Sequence, residues 1–278
     1  MNFDSPEIRI TGFARLSKVL EVFGFPRLTM AEKILRFKSF TPDQFLSLVS
    51  RLNGILLGLP RYNHFDNNGL AESIDKPVSI VQRGEKNKIS YVAPINRLEL
   101  FKKLFLQIQG EISEANVASC VFKLRLGIIF VHLFENGNGR TSRLFSKLFL
   151  GDVVSYSDVE SDLTSTEESI PEKIHKIALI KLFQEEEGVQ IDSIDKVLEY
   201  SKLLYMDPEN MDLSRAVKGL AIRKTFPKEP LSKLMTEKPI EWIRKDRDGS
   251  HEKYAIELTR LQEKLFWLAV SVPEELQK

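Results

Sequence analysis

Apolar side chains recur along most of this chain every three or four residues, the period of one helix face, and only one stretch alternates. Phe13, Leu16, Val19, Leu20 and Phe23 predict a helix over Thr11–Phe23, stopped by Gly24-Phe25-Pro26. Thr29-Met30-Ala31-Glu32 and Thr41-Pro42-Asp43-Gln44 have capping-box spacing, and Pro42 suits a first helical turn. Each predicts a helix start, the second helix running to about Leu57 before Gly58 and Pro60. Arg61–Asp75 is polar and reads as a loop. Val78, Ile80, Ile89 and Tyr91 alternate with polar neighbours across Gly84-Glu85-Lys86-Asn87-Lys88, which predicts a β-hairpin over Val78–Val92. Two strands alone are marginal in water, so the hairpin is expected to lean on helices. Pro94 precedes a helix over about Ile95–Gln109 ended by Gly110, and Ser113 is placed to cap a strongly apolar helix reaching Val131. Further helices are expected at about Pro171–Glu187, Ser193–Tyr205, Leu213–Thr225 and His251–Val270, after a Ser/Asp/Thr-rich surface connection over Gly151–Ser169. The fold class is mainly α, with one small hairpin. Its expected organisation is an N-terminal helical region (1–40), a core (41–155) and a C-terminal helical region (156–278).

Between the apolar helix and a second helical pattern (Leu144, Phe145, Leu148, Phe149, Leu150) lies His132-Leu-Phe-Glu-Asn-Gly-Asn-Gly-Arg-Thr-Ser-Arg143. Gly137 and Gly139 permit backbone torsions that let consecutive N–H groups point into one concavity. The following helix start adds unpaired N–H donors and a positive dipole end. Arg140 and Arg143, three apart, rise from its first turn. That is chemistry for a polyphosphate, with a histidine at its edge.

Composition narrows the classes. At 278 residues and 42% hydrophobic, the chain can bury one large domain or a domain with a second lobe. Its 40 basic and 39 acidic residues nearly cancel, which argues against a broad nucleic-acid footprint. The lone Cys120 forms no internal disulfide and falls in an apolar helix pattern as a small core residue. No apolar run is long enough to span a bilayer, and the N-terminus does not read as a secretory signal. The expected location is the cytoplasm, or another cell reached by an exported effector. His64, His175 and His251 fall in polar or charged surroundings and read as surface residues. Phe101, Phe105, Phe266 and Trp267 read as core. There is no Walker-type loop and no paired Cys/His metal motif.

The segment from His132 to Arg143 resembles the signature of the Fic domain family, His-x-Phe-x-(Asp/Glu)-Gly-Asn-Gly-Arg-x-x-Arg. His132, Phe134, Gly137, Asn138, Gly139, Arg140 and Arg143 match it. Chance agreement of that extent is on the order of 10⁻⁹ per starting point at average residue usage, so the spacing carries more than a lone Gly-Asn-Gly would. The order of features over about residues 40–155 is also similar; the C-terminal third carries no resemblance. The resemblance implies a helical core that transfers AMP from ATP to a Ser, Thr or Tyr hydroxyl of a target protein. His132 is then the general base, Phe134 anchors the loop, and Gly137–Gly139 with Asn138 hold the α- and β-phosphates. Arg140 faces the β-phosphate side and Arg143 the γ-phosphate, while the hairpin at Val78–Val92 is the flap that engages the target.

Two positions depart from the family pattern. Asn136 stands where the family's acid holds Mg²⁺, and a neutral amide is a poorer ligand for that ion. Either the Asn136 carbonyl still helps to orient a metal carried by the nucleotide, or the neighbouring Glu135 substitutes through a shifted loop. Other open readings are a different nucleotide, a phosphodiester donor such as CDP-choline with phosphocholine transfer, or a non-catalytic nucleotide-binding module. Val49-Ser50-Arg51-Leu52-Asn53-Gly54-Ile55 is similar to a worn form of the family's inhibitory helix, with Asn53 in place of its glutamate. That substitution implies a missing brake.

Overall fold

Both capping boxes form. The computed structural model describes residues 28–56, 96–134, 137–151, 170–188, 190–202, 213–226 and 250–275; it omits side-chain surroundings for Ile55, 200–202, 213–215, 250–251 and 273–275. Helix α1 (Met30–Ser39) opens with the Thr29 hydroxyl accepting from Glu32 N–H, while the Glu32 carboxylate accepts from Thr29 N–H at 2.7 Å. Helix α2 (Pro42–Leu56) repeats the device, Gln44 N–H donating to the Thr41 hydroxyl and Thr41 N–H to the Gln44 side chain. Helices α3 (Arg97–Glu111), α4 (Val117–Phe130), α5 (Asn138–Leu150), α6 (Ile170–Glu187), α7 (Ile194–Lys202), α8 (Leu213–Thr225) and α9 (Ser250–Glu275) follow. The described residues are mainly helical and include no strand. The predicted helix over Thr11–Phe23 and the predicted hairpin over Val78–Val92 lie outside them.

Three expectations need correction. Gly110 does not end α3; it keeps helical torsions, and the stop falls at Ile112, which turns extended while its N–H still donates to Ile108 O at 2.8 Å. Ser113 does not cap α4. Its N–H and hydroxyl both donate to Asn116 Oδ1, and Asn116 Nδ2 donates to Glu111 O, so this pair shapes the turn and α4 starts after it. His175 is not a surface residue: it is 2% exposed. It lies on the stripe of Leu179, Leu182 and Phe183, one α6 face that is buried throughout.

Contacts divide the chain into two units, the first holding α1–α5 and the second most of α6–α9. In the first, α4 is apolar on nearly every side and buried along its length, the mark of a helix at the centre of its neighbours. It packs on α3 and α5. Phe37 (α1), Phe45 (α2), Phe105 (α3) and Phe149 (α5) form an aromatic cluster. Phe45 stacks on Phe105 at 4.5 Å between centroids, and Phe37 meets Phe105 edge-on at 5.0 Å. Gln109 of α3 donates to Phe37, Lys38 and Phe40 carbonyls, closing the end of α1. Lys33 of α1, 3% exposed, donates to Leu148 O at the end of α5, where a cation also suits the helix dipole. The helix that begins at the glycine motif is thus tied down at its far end.

In the second unit, Ala178, Leu182, Phe183, Val217, Leu220, Leu261 and Phe266 are buried. Arg260 of α9 grips Glu186 of α6 through two hydrogen bonds, 3.0 and 2.6 Å, and Lys264 adds a third at 2.7 Å. With its side chain 9% exposed, Glu186 is held near pH 2 by the Arg260 hydrogen bonds first and Lys264 after. No helix among the described residues is long and apolar enough to cross a membrane.

Candidate functional site

At the end of α4 the chain reverses in a Schellman turn: His132 N–H donates to Ile129 O at 3.1 Å and Leu133 N–H to Ile128 O at 3.4 Å. Such a turn needs one residue in the left-handed region, a position glycine usually fills. Here it is His132, at φ 48°, the one described non-glycine residue with positive φ. Leu133 and Ile128, the two positions where this motif commonly carries apolar residues, are both buried. The histidine therefore holds a backbone conformation that glycine would hold with less strain.

The His132 side chain is 7% exposed, and its Nδ1 meets no hydrogen-bond partner among the described residues. Burial pushes the imidazole down to about 4, with the positive charge of Arg97 adding to the effect. It is neutral across the physiological range. Arg97, first residue of α3 and 3% exposed, donates through Nη1 to the His132 carbonyl at 3.5 Å.

Two residues on, Phe134 is fully buried, as expected of a loop anchor. Its N–H donates to Asn138 Oδ1 at 2.9 Å and its carbonyl accepts from Asn138 Nδ2 at 2.7 Å. This reciprocal clamp closes the loop into a ring. It also commits both ends of the Asn138 amide, so a phosphate would meet chiefly the backbone N–H of this residue. Gly137 takes φ 79°, and its carbonyl accepts from Thr141 N–H at 2.8 Å to begin α5. Gly137 at the N-cap has no side chain to cap that helix start. The N–H groups of Asn138, Gly139 and Arg140 have no partner within the helix ladder, and the dipole adds positive potential there.

Arg140 and Arg143 are each 7% exposed. The Arg143 guanidinium lies back over the helix start: a Cβ on Gly139 would stand 3.3 Å from Nη1. Gly139 is thus the residue that lets Arg143 reach the first turn. Between the arginines, the buried Thr141 hydroxyl accepts from Asn53 Nδ2 at 3.0 Å. Asn53 of α2, 1% exposed, thereby faces the motif helix. Every buried charged side chain described in this unit is a cation: Lys33, Arg97, Lys123, Arg140 and Arg143. Lys123 has a carboxylate in reach, Glu111 at 3.7 Å.

The Phe134–Asn138 clamp joins the turn that holds His132 and Phe134 to the helix start that holds Gly137, Asn138, Gly139, Arg140 and Arg143. Asn136 and Glu135, the expected metal position, lie outside the described residues, as does the hairpin. No group of three His, Cys, Asp or Glu side chains among the described residues could hold a metal ion. Sequence reasoning missed Arg97, although the signal was there: it sits three and four residues before Leu100 and Phe101, on the stripe α3 buries. Comparison of the chain with models of protein families, with curated proteins and with solved structures finds no match.

Proposed function

We propose that this chain is a Fic-like nucleotidyltransferase that moves AMP from ATP to a Ser, Thr or Tyr hydroxyl of a target protein. The observation that carries the reading is His132: a neutral, buried imidazole in a strained turn, six residues before a helix that starts behind a glycine N-cap and carries two buried arginines. Strain and an unpartnered buried nitrogen are tolerated where a residue serves something other than folding.

In the proposed reaction the triphosphate lies across the start of α5. Backbone N–H groups of Gly137–Gly139 take the α- and β-phosphates, Arg140 the β-phosphate side and Arg143 the γ-phosphate. His132 accepts the proton of the incoming hydroxyl as its oxygen bonds to the α-phosphorus. The bond from that phosphorus to the oxygen bridging to the β-phosphate breaks, and pyrophosphate leaves with the electron pair. Arg140 stabilises the charge that develops there. A base and a rigid cradle suffice for such positioning chemistry. Asn136 would be a weak contributor to holding Mg²⁺ carried by the nucleotide, and the ion would supply charge neutralisation. The hairpin expected at Val78–Val92 would hold the target segment by strand pairing.

Incubating the chain with α-labelled ATP and a lysate tests this: labelled protein should appear, and His132→Ala should not support it. Competition by CDP-choline would move the donor to a phosphodiester of another kind. ATP binding in calorimetry without transfer to any lysate protein would leave a binding module instead.

A further inference from the structure

Arg97 extends the buried stripe of α3, where Leu100, Phe101, Leu104, Phe105 and Ile108 face the core. An apolar residue would complete that stripe without desolvating a guanidinium, and burial already weakens the hold of Arg97 on its own proton. The guanidinium lies against the left-handed turn, its Nη1 3.5 Å from the His132 carbonyl. That carbonyl has left the α4 ladder, because the chain reverses at His132. A buried arginine placed on the backbone of the one strained residue is an expensive way to fill space.

We propose that Arg97 is a positioning residue for His132, holding the carbonyl of its turn and so the direction of its ring. This rests on the reading of His132 as the general base. Two effects combine. The fork of the guanidinium restrains the turn, and so the direction of the ring. Its charge, in a site with little water, opposes protonation of the imidazole. The other charges on the elements meeting here are Glu99, Lys102, Lys103 and Glu111 of α3, Lys123 and Arg125 of α4, and Arg140, Arg143 and Lys147 of α5; among the described residues, Arg97 is the charge that acts on the imidazole.

The test is the titration of His132 itself in the full chain, with ¹³C-labelled histidine followed by NMR and the resonance assigned by its loss in His132→Asn. Arg97→Gln should raise the midpoint toward the ordinary histidine value by about one unit, a tenfold gain in proton affinity, without reaching it because burial remains. Arg97→Lys, which keeps the charge and loses the fork, should keep the low midpoint. An unchanged midpoint in Arg97→Gln overturns the proposal. Should that variant not fold, a midpoint in Arg97→Lys at the value of an exposed histidine overturns it instead. Transferase assays separate the two readings. In an active chain, Arg97→Gln should lower kcat and move the acid limb of its pH profile upward, with KM for ATP nearly unchanged. An inactive wild-type chain whose His132 still titrates with Arg97 would sink the transferase reading and leave the positioning intact.

Discussion

Replacing His132 by glycine and by alanine separates what the turn wants from what the side chain is for. Both substitutions delete the ring, its packing and its buried Nδ1, so those contributions cancel between them. What remains is the backbone at φ 48°. Alanine keeps the left-handed penalty, about 1–2 kcal/mol, and glycine does not. Glycine gains freedom in the unfolded chain, which offsets roughly 0.5–1 kcal/mol of that relief. The glycine variant should therefore be more stable than the alanine variant by about 0.5–1 kcal/mol, against the opposite order of similar size at an ordinary helical site. Urea denaturation followed by circular dichroism reads it as a higher midpoint for glycine in the transition of the first unit. An alanine variant as stable as glycine, or more so, would refute the claim that His132 sits in a strained turn. Both variants should lose about 10²–10⁴-fold in transfer, the usual share of a general base.

Lowered histidine affinities set the acid response. His132 and His175 are both held at about 4 in the fold, by burial first, against about 6.5 unfolded. Between those values the unfolded chain binds more protons, so stability is full above about pH 6.5 and falls on acidification, on the order of 2 kcal/mol per histidine by pH 5. Melting across pH 5–7 measures it, and His132→Asn should flatten the first unit's share. Glu186 acts in a lower window: its carboxyl, held near 2, contributes stability present above about pH 4.5 and lost as pH falls through about 2. Arg260→Ala should remove about 1–2 kcal/mol of it at neutral pH, after allowance for the partly exposed arginine. Asn138→Ala leaves the N–H and carbonyl of Phe134 without their clamp and should destabilise the first unit by about 2–4 kcal/mol, again by denaturation. Pyrophosphate bound at the start of α5 should raise the His132 midpoint seen by NMR, because an anion beside the imidazole favours its charged form.

Much of the helical layout was legible because local signals agreed with the final packing. The capping residues Thr29 and Thr41 begin their helices as read, Gly151 and Gly188 follow α5 and α6, and Leu213–Thr225 matches residue for residue. The motif showed which side chains would share one turn. It did not show that His132 would occupy the left-handed position of a helix end. That position is normally marked by glycine, and the two glycines of the motif drew attention to the loop's other side. Buried ionisable residues were hidden for a related reason. Arg97 and His175 lie on apolar stripes, but a long or amphipathic side chain at such a position can equally carry its polar end to water. Only tertiary packing decides between the two. Asn138 was legible as part of the cradle and not as its clamp, because the pairing with Phe134 depends on the loop's exact closure.

Nucleotide transfer at the turn from His132 to Arg143 is the proposal on which the rest depends. Its most direct test is the intact mass of proteins in a lysate incubated with the chain, ATP and Mg²⁺, with α-labelled and γ-labelled ATP in parallel. An added AMP on a hydroxyl side chain is expected, with label from the α-position alone and loss of both in His132→Asn while that variant stays folded. Transfer of the γ-label, or equal labelling by His132→Asn, would contradict it.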